Sequence, residues 1–152
     1  VADGFSGGLE FEEGAEAAGM LAQWGYDALE ISQGLRGRYY AETEFKTGIT
    51  KPELEDYFRG WCMQIAGQVA VPVMMVGGLR TFETMEEVVR SKEADFISLC
   101  RPLIREPGII NEWRSGSRKK PTCISCNKCY EALLKGASLH CVIEKEQSPN
   151  SA

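Results

Sequence analysis

The sequence predicts an α/β fold on a parallel sheet, and three observations predict it. Strand-like segments recur with about ten to fifteen helical residues between them, the spacing of βαβ units. One of them, Val71–Val76, is a continuous apolar run, as strands buried on both faces are. That strand and the next end in Gly77-Gly78-Leu79-Arg80-Thr81 and Cys100-Arg101-Pro102, loops that open helices.

The elements follow in order. Leu9–Trp24 is predicted as a helix, with Ala15, Ala18, Leu21 and Ala22 at helical spacing. Glu10, Glu12 and Glu13 favour its first turn through the helix dipole, and Gly25 stands where a C′ glycine stops it. Asp27–Ser32 is predicted as a strand, with Glu30 sharing a face with Ala28 and Ser32, and a long loop is expected over Gln33–Lys51. Pro52 suits a helix start, and Leu54, Tyr57, Phe58, Trp61 and Ile65 predict one amphipathic helix. Trp24, Phe58 and Trp61 read as packing residues, and Cys62 as a core thiol. Thr81 is expected to cap a helix with Phe82, Met85, Val88 and Val89 on its inner side. Ala94–Cys100 is the third strand and Pro107–Gly116 a short helix.

Both a TIM barrel and a doubly wound open sheet accommodate such units. Three parallel strands cannot close a barrel, which takes eight, and a sheet this small leaves one face open unless further strands cover it. The opening VADGFSGG reads as the tail of a strand-to-helix loop, so the expectation is a piece of a larger α/β protein.

Composition excludes some functions. The 152 residues are 43% hydrophobic and 26% charged, ordinary for a globular domain, and the net charge of −5 argues against nucleic-acid binding. The basic run Arg118-Lys119-Lys120 reads as a solvated linker. No apolar stretch approaches the ~20 residues of a membrane span, and no signal-peptide pattern opens the chain, so a cytoplasmic location with no membrane partner is expected.

The chemistry-bearing residues form two groups. Gly77, Gly78, Cys100 and Arg101 close consecutive strands, where TIM barrels commonly hold phosphate. Glycines let the backbone approach an anion, and an arginine adds charge and a forked donor set. Cys123, Cys126, Cys129 and Cys141, spaced C-x2-C-x2-C-x11-C, favour metal or redox chemistry; iron–sulfur, zinc and reduced thiols all remain open.

The strings PVMMVGGLRT and ADFISLCRPLIREP resemble the final two βα units of the Old Yellow Enzyme and 2,4-dienoyl-CoA reductase family. The segment GGLEFEEGAEAAGMLAQWGYDALEISQG is similar to the unit before them, and PTCISCNKC to the family's cysteine-rich tail. The resemblance implies the C-terminal part of a (β/α)8 TIM barrel. Residues 1–117 would run from the end of the fifth to the eighth βα unit, and 118–152 would be the tail. It implies an FMN-dependent NAD(P)H oxidoreductase of the NADH:flavin oxidoreductase or ene-reductase kind, passing hydride to a small oxidised acceptor. Backbone groups of Gly77, Gly78, Cys100 and Arg101, with the Arg101 side chain, would hold the FMN phosphate; the family usually has glycine where Cys100 stands. In the dienoyl-CoA reductase branch a similar cysteine layout, one residue longer between the second and third, holds a 4Fe–4S cluster.

The family's histidine pair and tyrosine acid lie upstream, and this chain has one histidine, His140, so no catalytic residue is assigned within it. The competing expectation is a non-catalytic metal-binding or assembly module using the tail. Unpaired strand edges and an uncovered sheet face further predict a homo-oligomer.

Overall fold

A computed structural model describes residues 1–3, 7–33 and 46–147 of the chain. Much of the loop expected over Gln33–Lys51, and part of the opening VADGFSGG, lie outside the described residues.

Helix α1 spans Phe11–Gln23 and starts as the acidic pattern predicts, with the Glu10 backbone N–H donating to Glu13 at 3.2 Å. Gly25, at φ +91°, ends it: its N–H and that of Tyr26 close back on Ala22 and Leu21. The strands are β1 (Leu29–Ile31), β2 (Val73–Met75) and β3 (Phe96–Ile97), parallel and adjacent in that order. Each is shorter than its apolar run, because the flanking residues turn towards the loops. Ala2 makes a parallel bridge to Gln33, so the first residues lie beside β1 on its free side.

Helices α2 (Arg59–Ala66) and α3 (Phe82–Arg90) return between the strands, completing the βαβ units that the spacing predicts. Leu29, Ile31, Val73 and Met75 point to one face and form the core with Cys62, Ile65 and Val88. Each such buried side chain stabilises the fold by roughly 1.5–3 kcal/mol relative to exposure. On the opposite face Glu30, Met74 and Phe96 stand in register across the sheet. Phe96 is 56% exposed there, so that face is uncovered in the described residues.

The predicted helix from Pro52 to Ile65 is not continuous. A 3-10 turn at Pro52–Leu54 is followed by a break, with Asp56 at φ +44°, before α2 begins. A tertiary demand makes the break. Glu55 is buried, and its carboxylate accepts from the N–H groups of Arg80 and Thr81 at 2.9 and 2.7 Å and from the Thr81 hydroxyl at 2.7 Å. Thr81 therefore gives its hydroxyl to Glu55 instead of capping α3. Arg59, at the head of α2, pairs with Asp56, Glu87 and Glu93.

Trp61 stacks between Phe58 and Phe11, at centroid distances of 5.5 and 6.2 Å, as packing residues should. Trp24 departs from that reading and is 68% exposed, since it lies beyond the last buried turn of α1. Cys62 is fully buried, and burial, with Asp95 and Glu93 nearby, pushes its thiol up to about 11.

After β3 come α4 (Arg101–Arg105) and α5 (Ile109–Arg114), then α6 (Lys128–Leu134) and α7 (Val142–Gln147). The basic run is not a solvated linker. Arg118 lies 4.0 Å over the Phe82 ring, Lys119 pairs with Glu106, and Lys120 pairs with buried Glu55 at 3.0 Å. It fastens the tail to the ends of the sheet. No helix among the described residues is long and apolar enough to cross a membrane.

Candidate functional site

The C-terminal ends of the three strands open into one cavity of about 410 Å3. Glu30 within β1 and Ser32 after it, Gly78 after β2, and Cys100 and Arg101 after β3 line it. The tail closes the other side through Asn127, Cys129, Tyr130 and Leu133. Three of the four residues expected at the phosphate site thus share a cavity, and Gly77 packs beneath it against Phe58. The need for glycine is explained, but by a neighbour. Gly77 and Gly78 have φ of +133° and +76°, and a Cβ on Gly78 would come within 2.8 Å of the Tyr57 ring. The close approach that the glycines allow is taken by an aromatic ring.

Arg101 is, with Arg80, one of two arginines among the described residues of the cavity wall. Its Nη1 donates to Asn127 Oδ1 and to the Lys46 carbonyl, both at 2.7 Å. Both acceptors are neutral, so they orient the guanidinium without cancelling its charge. Among the described residues Nε and Nη2 have no protein acceptor. Arg59 shows the contrast: it spends its Nε and Nη2 on the two oxygens of Glu93, at 2.5 and 3.0 Å. Arg59 is consumed by the fold, whereas Arg101 keeps a forked donor edge.

The sequence reading gave no role to Arg80, although its motif was in plain view. Its guanidinium is 2% exposed and binds the Cys123 carbonyl, the Ser125 hydroxyl at 2.5 Å and the Gly78 carbonyl at 3.4 Å. Burial lowers its pKa, while Cys123 and Glu55 nearby oppose that. Arg80 holds the cysteine loop onto the sheet. The signal that finds it is the glycine pair: an arginine two residues beyond a tight turn at a strand end points back over that end.

The four tail cysteines line a second, small cavity of about 20 Å3, with Arg101 and Asn127 in the wall it shares with the first. Cys123 and Cys126 lie on the loop, Cys129 in the first turn of α6, and Cys141 just before α7. Burial pushes the Cys129 thiol up, and Cys123 and Cys126 act in the same direction. Among the described residues no three of His, Cys, Asp and Glu converge to hold a metal ion. The cysteines border one cavity, gathered as the spacing predicts. The loop is held through its backbone and Ser125.

No family model matches the chain. It is similar to three oxidoreductases, each far longer than itself. A 4,4'-dithiodibutanoate disulfide reductase of Rhodococcus erythropolis is 24% identical over 94% of this chain and 41% of its own length. A bilirubin reductase of Mediterraneibacter gnavus is 29% identical over 92% and 22%. An NADH oxidase of Thermoanaerobacter brockii is 30% identical over 80% and 18%. The chain thus spans between about a fifth and two fifths of the length of these relatives.

Proposed function

We propose that this chain is the C-terminal part of an FMN-binding barrel of the Old Yellow Enzyme type, and that Arg101 holds the phosphate end of the flavin. The observation carrying this reading is the guanidinium in the wall of the strand-end cavity, oriented by neutral acceptors and with no acceptor on Nε or Nη2 among the described residues. An anion at Arg101 gains charge-assisted bonds without displacing a carboxylate. The sheet supports the barrel reading. Three parallel strands, a fourth segment bridging beside β1, and an uncovered row of Glu30, Met74 and Phe96 suit a barrel sector awaiting further strands.

When bound, the flavin would accept hydride from NAD(P)H and pass it to an oxidised acceptor. This chain's own share is binding and orientation. Arg101 binds the phosphate, Gly78 and Cys100 shape the cavity beside it, and Arg80 fixes the tail that closes it. The reacting end of the cofactor and the acceptor would be served by residues outside this chain.

The test is phosphate-dependent binding. The chain should bind FMN at least about tenfold more tightly than riboflavin, which has the same ring and no phosphate. Arg101→Ala should remove that difference, a loss of about tenfold for one charge-assisted contact. Arg101→Lys should recover part of it, since lysine keeps the charge and loses the fork. An Arg101→Ala chain with native preference for FMN refutes the assignment.

A further inference from the structure

We infer that Asn127, a residue of the cysteine loop, is the positioning residue of the anion site: its amide orients Arg101 and, being neutral, leaves the charge of that arginine to the anion. The inference rests on the reading of Arg101 above and extends it to the tail. Asn127 is 4% exposed, its Oδ1 lies 2.7 Å from Arg101 Nη1, and its backbone, at φ +60°, opens α6. It lines both cavities, as Arg101 does. The loop that carries it is fixed from below by Arg80 on Cys123 and Ser125 and from the side by Gly48 on the Ser125 carbonyl. Asn127 thus carries the rigidity of that loop into the orientation of the arginine.

The chemical identity of this residue matters as much as its place. An amide oxygen accepts from Nη1 and leaves the guanidinium with its full charge. A carboxylate in the same position would make the same hydrogen bond and neutralise it, as Glu93 does to Arg59. Asn and Asp both tolerate the left-handed backbone required there, and Gly adopts it freely. Asn127→Asp therefore keeps shape and hydrogen bond while cancelling charge. Asn127→Gly keeps the turn and the charge while losing the orientation.

The two variants separate positioning for an anion from a merely structural role. The probes are FMN, riboflavin and inorganic phosphate, titrated against the 152-residue chain and followed by flavin fluorescence or, for phosphate, by amide shifts. Asn127→Asp should weaken FMN and phosphate by about tenfold or more and leave riboflavin unchanged. Asn127→Gly should weaken them by about threefold, since an unheld arginine still attracts the anion. A structural role predicts the reverse order, with the isosteric aspartate harmless and glycine worse; that order overturns the inference. So does an equal loss of FMN and riboflavin in Asn127→Asp, which would mean a collapsed cavity. If Asn127→Asp does not fold, Asn127→Gly carries the test: unchanged phosphate affinity sinks the inference, and a threefold loss with native riboflavin binding supports it. Arg101→Ala separates the two readings. If it leaves FMN affinity unchanged, the anion site itself is wrong. If it weakens FMN while both Asn127 variants bind normally, only the role of Asn127 is wrong.

Discussion

Replacing Arg80 by methionine should loosen the cysteine loop while leaving the sheet intact. Methionine matches the aliphatic length of arginine, so the perturbation is chiefly the loss of the guanidinium. The change strands two acceptors, the half-buried Cys123 carbonyl and the hydroxyl of Ser125, whose exposure is 0%. Each unsatisfied group costs roughly 1–3 kcal/mol, and relief from burying a charge offsets part of the sum. A net loss of about 2–4 kcal/mol is expected, a large share of the ~5–15 kcal/mol that holds a domain together. Because the contacts to Cys123 and Ser125 join the sheet end to the loop, local opening should absorb most of it. The assay is the rate at which individual thiols are alkylated, read by peptide mass. Cys123, Cys126 and Cys129 should react about thirty- to several-hundred-fold faster, and Cys62, buried among Ile65, Val73 and Val88, should keep its rate. Tail thiols that react no faster would refute the anchoring role. Acceleration of Cys62 in step with them would show that the loop and sheet do not open separately.

In the native protein at pH 8, Cys100 should be labelled readily and Cys62 only on unfolding, which residue-resolved thiol labelling would reveal. The Cys62 pKa is raised from 9.0 to about 11, so the folded state holds that proton more tightly than the unfolded one. Its contribution is therefore fully present below pH 9 and is lost as pH rises towards 11. A Cys62→Ala variant whose stability falls as steeply as the wild type across that window would contradict this. The chain should self-associate through its open face and the edge strand β3, and Phe96→Glu should shift sedimentation towards monomer; a wild-type monomer at all concentrations would contradict the partial-sheet picture. The chain alone should not oxidise NADH even with FMN supplied, since it has one histidine and cannot supply the histidine pair that the resemblance implies; measurable turnover would overturn that.

What the sequence made legible was whatever depends on neighbours in the chain. The limits of α1, the stop at Gly25, the order of strands and helices, and the burial of Cys62 follow from spacing and turn chemistry within a few residues. The segment at Pro52–Ile65 shows where that fails. Leu54, Tyr57 and Phe58 fall at helical spacing, yet Leu54 is 45% exposed, and the backbone breaks at Asp56 so that Glu55 can reach Arg80 and Thr81. A buried carboxylate serving a loop 25 residues away leaves no mark in the periodicity. The basic run misled for a similar reason. Three adjacent cations look solvated until their partners, Glu55, Glu106 and the Phe82 ring, are brought in by the fold.

The arginines carry the same lesson to the site. Arg59, Arg80 and Arg101 each follow an element boundary, and nothing in their local sequence ranks them. Their partners do. Arg59 faces three carboxylates and is structural; Arg80 faces a carbonyl pair and a hydroxyl in the interior and is an anchor. Arg101 faces an amide and a carbonyl at the edge of a cavity, and among the described residues its Nε and Nη2 are left for a ligand, whereas Arg80, which lines the same cavity, has Nε, Nη1 and Nη2 all engaged. The amide comes from the cysteine loop, 26 residues further along the chain. The tail, which spacing alone presents as a separate metal module, is therefore part of the cavity wall. A site built in this way should lose anion affinity when the tail is unfastened, even though Arg101 itself is untouched. Arg80→Met supplies that condition without altering any lining residue but its own. Its FMN preference over riboflavin should fall together with the protection of Cys123, Cys126 and Cys129. Loosened thiols with an intact preference would mean that Arg101 holds its orientation without the loop.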